Sequence, residues 1–243
     1  MNCYHNRILA FIDVLGFKEA VKRTNEIENQ HEIGFINNFF DEINNQQRMK
    51  ECFPKEIQLN DRIVNQFSDS IVISYSKENF IHHIFQDAYF LCIKAMENEF
   101  LLRGAIVYGK LIHSKNDNKL FGPACLEAYE MEREKAVFPR IIIDEKIFDL
   151  AKDNYSNCDN PDLEYENLMK LISLDFDNIN YINYINKYYT GVDVGEEGEQ
   201  KHSILVYNNL KKLENSYKKD NKLKWKYLWL EKKYKEAYIN INY

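Results

Sequence analysis

Two aspartates each stand within a run of apolar residues that is otherwise typical of a buried β-strand. Asp13 lies in FIDVLGF (11–17), and Asp69 lies in FSDSIVI (67–73). Because an unpaired charge is costly to bury, a shared function would explain both positions. If the two strands are neighbours, their spacing of about 5 Å lets both carboxylates face one point. Two anions there need a positive partner, and a pair of Mg²⁺ ions about 4 Å apart would provide one.

Main-chain groups beside Asp13 extend this predicted metal site. Mg²⁺, or Mn²⁺ in its place, takes few protein ligands and fills its remaining positions with water and nucleotide phosphates. The main-chain carbonyl of Ile12 or Val14 is a candidate for a further ligand. A helix that begins at Gly16 and Phe17 would offer its free N–H groups to a triphosphate.

Each aspartate also has a purely local explanation. Asp13 could cap the turn after its strand, and Asp69 could stabilise a hairpin, since aspartate side chains bond their own backbone in turns. For a single aspartate this explanation is the stronger one. For two aspartates in strands whose order allows them to be neighbours, a shared site is favoured.

The elements that must position this pair alternate between strand and helix patterns. Along the chain we predict a strand at 7–17, helices at 18–25 and 31–49, a hairpin at 62–75, a helix at 77–100, a strand at 101–114, a loop at 115–119, a helix at 122–137 and a strand at 138–144. This order predicts an α+β fold, with a sheet that is antiparallel at its centre and helices packed on one face.

The pattern weakens after Asp144, so we divide the chain into a core domain, 1–150, and a C-terminal extension, 151–243. The extension is predicted to be largely helical and to pack on the core or mediate dimerisation. Within it, 191–200 is predicted to be an exposed loop, and 201–238 one or two helices with an aromatic packing face.

Composition excludes several classes of protein. The net charge of −6 argues against direct nucleic-acid binding and against attraction to anionic membranes. The sequence has no apolar run near the roughly 20 residues that a membrane span needs. Its five cysteines are scattered and include no CxxC pair, so a disulfide framework or a zinc site is not expected. This pattern predicts a reducing cytoplasm as the location of the protein.

The quoted motifs resemble those of the class III nucleotide cyclases. FIDVLGF is similar to the first-strand motif F-x-D-I-x-G-F, which carries the first metal aspartate, and FSDSIVIS is similar to the hairpin that carries the second. RGAIVYG (103–109) and LFGPACLEAYEMEREKAVFPRIIID (120–144) resemble the later strand and the return-strand segment. The resemblance covers about 7–144 and preserves the order of the elements.

This resemblance implies a ferredoxin-like palm core that converts a nucleoside triphosphate into a cyclic nucleotide and pyrophosphate. Asp13, Asp69 and the main chain at Ile12 would then bind two Mg²⁺ ions, and a head-to-tail homodimer would form the site. Diguanylate cyclases and CRISPR-associated oligonucleotide polymerases share this core, as do the bacterial pyrimidine cyclases of antiphage defence. The base and the product therefore stay open.

Some family positions are altered in this chain. Aligned on Gly122, the transition-state Asn and Arg of the family fall on Leu126 and Glu130, and neither can donate to a developing phosphate charge. The candidate replacements are the three cations Arg103, Arg133 and Arg140. Of these we predict Arg103 and Arg140 to be catalytic, while Arg133 is expected on a solvated helix face. Arg103 could instead simply pair with a helix carboxylate, and a cation beside an apolar strand, such as Arg140, usually has a partner.

The two positions that read the base in this family fall on Asn65 and Lys119, which are therefore the predicted substrate-binding side chains. The segment EAYEMEREK (127–135) is interpreted as a solvated, charge-rich helix. Two other functions stay open. One is a catalytically silent module that binds a nucleotide or a partner, and the other is an oligonucleotide-forming palm enzyme.

Overall fold

The computed structural model of the chain describes residues 3–44, 62–76, 81–114, 119–156, 159–185 and 195–238. Within these ranges the strands are β1 (His5–Leu15), β2 (Ile63–Phe67), β3 (Ser70–Ser76), β4 (Leu101–Ser114), β5 (Lys119–Phe121), β6 (Ile141–Ile143), β7 (Ile172–Leu174) and β8 (Asn180–Ile182). They form one sheet in the order β2-β3-β1-β4-β6-β8-β7, with β5 paired to the end of β4. Only β4 and β6 pair in parallel, so the centre of the sheet is antiparallel.

The helices of the described ranges are α1 (Phe17–Arg23), α2 (His31–Asn44), α3 (Ile81–Glu97), α4 (Pro123–Lys135), α5 (Lys146–Tyr155), α6 (Pro161–Met169), α7 (Gly195–Lys219) and α8 (Lys224–Tyr238). Short 3-10 helices lie at Ile27–Asn29 and Asn221–Leu223. None of the helices in these ranges combines the length and apolar character that a membrane crossing would require.

Strand β1 runs through the middle of the sheet and separates two hydrophobic clusters. Its residues Ile8, Ala10, Ile12 and Val14 belong to the main core, which α3, α7 and α8 also enter. Leu9 points to the other face and joins a smaller cluster with Ala124 and Ala128 of α4. Side chains alternate between the two faces of a strand, so Asp13 lies on the same face as Leu9, beneath α4.

The predicted fold class is confirmed: the molecule is α+β, with an antiparallel-centred sheet and a C-terminal helical part. Most helices cover one face, and α4 covers part of the other. The sheet continues beyond residue 150, because β7 and β8 extend it past β6.

Two local predictions were wrong. Lys119 begins strand β5 and is not in a loop, since it pairs with Ser114; residues 115–118 lie outside the described ranges. Residues 195–200, predicted to belong to a loop, form the first turns of α7. The apolar positions place the start of this helix near residue 201, but the helix begins before them. Residues 191–194 lie outside the described ranges, as do 45–49 and 77–80, which we predicted to be helical.

Candidate active site

Asp13 lies inside β1 and not in a turn, so the local explanation for this residue was wrong. Ser70 of β3 and Arg103 of β4 stand opposite it on the two sides. Strands β1 and β4 approach closely here. A Cβ atom at Gly104 would lie only 2.4 Å from the carbonyl oxygen of Phe11. Glycine at position 104 therefore allows β1 and β4, which carry Asp13 and Arg103, to lie this close together.

Asp69 occupies the two-residue turn of the β2–β3 hairpin, together with Ser68, whose φ is 55°. The hairpin itself was predicted, but Asp69 lies in its turn and not within a strand, so the local explanation fits the position of this residue. The turn is fixed to the end of β1, since the N–H of Val14 donates to the carbonyl oxygen of Asp69 over 2.9 Å. Burial raises the pKa of Asp13, and the charge of Asp69 acts in the same direction.

Arg103 connects Asp13 to a second carboxylate, that of Glu132. Its Nε donates to Asp13 Oδ2 over 3.0 Å and lies 2.6 Å from Glu132 Oε1. Because the single Nε hydrogen points to Asp13, Glu132 Oε1 has a cation beside it but no hydrogen-bond donor among the described residues. The expectation that Arg103 could pair with a helix carboxylate is confirmed.

Glu132 is only 3% exposed, so its assignment to a solvated helix face was wrong. It follows Ala124 and Ala128 at intervals of four residues, and side chains at this spacing lie on one face of a helix. That face of α4 packs on the sheet. The solvated interpretation holds for its neighbours Arg133 and Glu134, which are well exposed and pair with each other.

Burial dominates the electrostatics of these groups. It raises the pKa of Asp13, against the charge and hydrogen bond of Arg103. Burial also raises the pKa of Glu132, with Arg103 again opposing the change. Lys226 of α8 interacts with the same groups: burial and the charge of Arg103 lower its pKa, while Asp13 and Glu132 act in the opposite direction. We call these five residues, Asp13, Asp69, Arg103, Glu132 and Lys226, the Asp13 cluster.

Two carboxylates of this cluster, those of Asp13 and Asp69, are oxygen donors of the kind that Mg²⁺ takes from proteins. Among the described residues, no group of three or more His, Cys, Asp or Glu side chains could hold a metal ion. Mg²⁺ needs only one or two carboxylates when substrate phosphates and water complete its shell. Asp13 would supply such a ligand from strand β1, and Asp69 would supply another from the β2–β3 turn, which is bonded to the end of that strand.

The predicted triphosphate-binding segment lies next to this cluster. Gly16 adopts a left-handed conformation, with φ of 79°, at the start of α1, a helix of seven residues. The ring of Phe17 packs against those of Phe40 and Phe100, with centroids 5.5 and 6.4 Å away. The side chain of Phe17 is therefore a packing residue, and phosphate binding by the N–H groups of this segment stays a prediction.

The two predicted base-reading residues occupy different ends of the sheet. Asn65 pairs with Val72, which stands opposite Phe11, so Asn65 shares the face of Asp13. Lys119 pairs with the last residue of the 14-residue strand β4, whereas Arg103 is the third. Within one chain, only Asn65 is thus near the aspartate pair.

Arg140 belongs to a different buried network. Its guanidinium donates to Asp175 and Asp177, both in the turn between β7 and β8, and its charge lies 5.1 Å from the ring centroid of Phe138. The expectation that Arg140 has a partner is confirmed. Within the described residues Arg140 makes no hydrogen bond or ion pair with Asp13 or Asp69, so its predicted catalytic role gains no support from these contacts.

No protein-family model matches the chain, and no curated protein matches it either. Two solved structures of a bacterial light-regulated adenylyl cyclase resemble it, with TM-scores of 0.41 and 0.38 and sequence identities of 14% and 15%. In both cases the similarity covers 82% of this chain and 58% of the cyclase chain, which is less than two thirds of the cyclase. Scores this low transfer neither a substrate nor a residue role to the chain.

Proposed function

We propose that the protein is a Mg²⁺-dependent nucleotide cyclase, which converts a nucleoside triphosphate into a cyclic nucleotide and pyrophosphate. The observation that supports this most is the hydrogen bond from Val14, beside Asp13, to Asp69, which fixes the Asp69 turn to the strand that carries Asp13. Both residues stand in segments whose motifs and order resemble those of class III cyclases. The base, a role in antiphage defence and a cytoplasmic location stay predictions.

In the proposed reaction the ribose 3′ oxygen forms a bond with the α-phosphorus and pyrophosphate leaves, while the hydroxyl proton passes to water. Asp13 and Asp69 would bind Mg²⁺, with the main-chain carbonyl of Ile12 as a further ligand, and the bound ion would supply positive charge to the triphosphate. Arg103 is held beside Asp13 by its Nε hydrogen bond. Its positive charge would favour the negative charge that develops on the transferred phosphate.

We propose further that a homodimer forms the complete site. Lys119 and Asp13 lie at opposite ends of the β1–β4 pair, so a single chain does not bring both to one nucleotide. A second copy arranged head to tail would do so. Exposed apolar side chains near the Asp13 face, Phe67 at 85% and Leu126 at 66%, offer area for such a contact.

One observation favours a second candidate, the catalytically silent nucleotide-binding module. Arg103 already neutralises Asp13 in the structure, and this bond competes with metal binding. In addition, Leu126 and Glu130 are exposed on α4 and supply no cation to the cluster.

Turnover assays with each of the four nucleoside triphosphates, in Mg²⁺ or Mn²⁺, test the proposal. We expect pyrophosphate and a cyclic monophosphate from the wild type, and a rate at least ~100-fold lower from Asp69→Asn, since a carboxylate ligand of the ion that would contact the reacting phosphate is lost. Asp41→Asn, an exposed position on α2, is the matched control and should retain full activity. Light scattering on the same samples reports the oligomeric state.

Other outcomes would replace the proposal. A linear or cyclic dinucleotide as product would identify an oligonucleotide-forming enzyme. Thermal stabilisation by a triphosphate without any turnover would identify the silent module. Turnover that Asp69→Asn leaves unchanged would remove the aspartate pair from the mechanism.

A further inference from the structure

Helix α8 turns one face to the core, and Lys226 belongs to that face. Trp229 and Leu230 are buried there, at 3% and 0% exposure. Lys226 precedes them by three and four residues, and Lys233 follows Lys226 by seven, which is the spacing of one helix face. Lys226 is accordingly half-buried, whereas its neighbours Lys224 and Trp225 are exposed.

Two polar contacts fix α8 in this orientation. The indole Nε1 of Trp229 donates to Asp175 Oδ2 over 2.6 Å, and Lys233 Nζ lies 3.1 Å from Asp175 Oδ1. Because Asp175 is itself held by the buried Arg140, the helix is anchored to the sheet edge. This anchoring holds the Lys226 end of α8 at the end of the sheet where β1 finishes and β4 begins.

A cavity of about 520 Å³ lies between this end of the sheet and the C-terminal helices. The core contributes Leu15, Gly16 and Leu101 to its walls, and α8 contributes Lys226. This volume lies within the usual range for small-molecule sites. Leu15 ends the strand that carries Asp13, Gly16 follows it, and Lys226 belongs to the Asp13 cluster, so the cavity adjoins this cluster.

The cations of this cavity differ in whether they already have partners. Arg23 is paired with Glu32, Lys212 is paired with Glu99, and Lys219 is exposed to solvent. Lys226, in contrast, makes no hydrogen bond or ion pair with any residue that the structure describes, although its charge interacts with Asp13 and Glu132. A half-buried ammonium without a direct partner is a suitable contact for an anionic ligand group.

We infer that Lys226 of the C-terminal helix is a phosphate-binding residue, and that the cavity beside it accepts the triphosphate of the nucleotide substrate. This inference rests on the proposed function and deepens it. The C-terminal helix then supplies the cation that Leu126 and Glu130 do not, within the same chain that carries Asp13 and Asp69. The 151–243 extension becomes part of the substrate site.

Calorimetric titration of the full-length chain tests this, with the Mg²⁺ complexes of the four nucleoside triphosphates and with sodium tripolyphosphate. We expect Lys226→Met to weaken binding of the preferred triphosphate and of tripolyphosphate about tenfold, the loss of one charge-assisted contact. Lys226→Arg should keep most of the affinity, and binding of the unphosphorylated nucleoside should not change. Lys224→Met, on the exposed side of α8, is the matched control and should bind as the wild type does.

The outcomes separate this inference from the proposed function. If the wild type binds and turns over a triphosphate but Lys226→Met binds it equally well, the inference is wrong and the cyclase proposal stands. If the wild type binds none of the four triphosphates, both are overturned. Lys226→Gln is titrated as well, so that a poorly folded methionine variant does not decide the result.

Discussion

At the scale of single residues, the Asp13 cluster holds two of its carboxylates, Asp13 and Glu132, in surroundings that disfavour their charge. Burial raises the pKa values of both Asp13 and Glu132, so their charged forms are less favourable in the folded protein than in the unfolded chain. A carboxylate whose pKa is raised by folding stabilises the folded protein at pH values below its pKa in the unfolded chain. This contribution is lost as the pH rises through its pKa in the folded protein. Strain of this kind is common where a site is kept for function.

Glu132→Gln should therefore stabilise the protein at neutral and alkaline pH. The amide has nearly the same shape but no charge to desolvate, so the melting temperature of the variant should exceed that of the wild type at pH 8. The difference should shrink as the pH falls toward the unfolded value of about 4.5, where Glu132 becomes protonated. Thermal melts across this range provide the measurement.

The control for this experiment lies on the same helix. Glu134 is 60% exposed, so Glu134→Gln should leave the melting temperature almost unchanged. A glutamine variant at position 132 that is less stable than the wild type at pH 8 would show that the contact with Arg103 outweighs the cost of burial.

The sequence predicted part of this cluster. Asp13 and Asp69 interrupt apolar runs, and such a pattern is visible without a structure. Glu132 was missed because EAYEMEREK carries so many charges that the four-residue spacing from Ala124 and Ala128 was not recognised. Lys226 was missed because its role depends on where α8 docks, and nothing in the local sequence specifies that contact.

At the scale of elements, Asp87 connects helix α3 to the neighbouring elements. Its Oδ2 accepts hydrogen bonds from Arg62 Nε over 2.8 Å and from the Tyr75 hydroxyl over 2.7 Å. Arg62 also donates to the carbonyl oxygen of Ile43 near the end of α2. The ion pair is almost completely buried, with side-chain exposures of 3% and 1%. Helical periodicity predicted α3, but it did not predict that a charged residue would belong to the buried face.

Asp87→Ala should lower the free energy of unfolding by about 3–5 kcal/mol, because the charge of Arg62 then stays buried without its partner. Denaturation in urea measures the change. Glu97→Ala is the control on the same helix, since its pair with Lys94 is partly exposed and should contribute less than about 1 kcal/mol. Equal effects of the two substitutions would contradict the structural role of the buried pair.

At the scale of the whole molecule, the sheet and the C-terminal helices meet at Asp175. The sequence predicted the strands as far as Asp144 except the short β5, and β7 and β8 were missed because each has only three residues in an Asn- and Asp-rich segment. The buried Arg140 indicated that a partner exists, without indicating which acid it is. Hydrogen bonds from Trp229, the Phe176 N–H and Lys233 outweigh burial and lower the pKa of Asp175.

Asp175→Asn should loosen the docking of α8 more than it changes the rest of the fold. The neutral amide leaves Arg140 and Lys233 with less compensation, and we expect a loss of roughly 3 kcal/mol and faster hydrogen exchange across 224–238. Asp162→Asn, at an exposed position in α6, is the control. Uniform exchange changes across the sheet, with none specific to α8, would contradict this role.

The pH dependence and the substrate site give two further readouts of the same variant. Because folding lowers the pKa of Asp175, its carboxylate stabilises the folded protein at pH values above 3.8, the pKa in the unfolded chain. That contribution is lost as the pH falls through the lower pKa of the folded protein. The difference in stability between wild type and Asp175→Asn should therefore be constant above about pH 5 and should shrink in acid.

Because α8 also carries Lys226, the Asp175→Asn variant should bind tripolyphosphate more weakly at neutral pH, although Asp175 itself does not line the cavity. Unchanged tripolyphosphate binding together with faster exchange in α8 would mean that the orientation of this helix does not determine the phosphate contact.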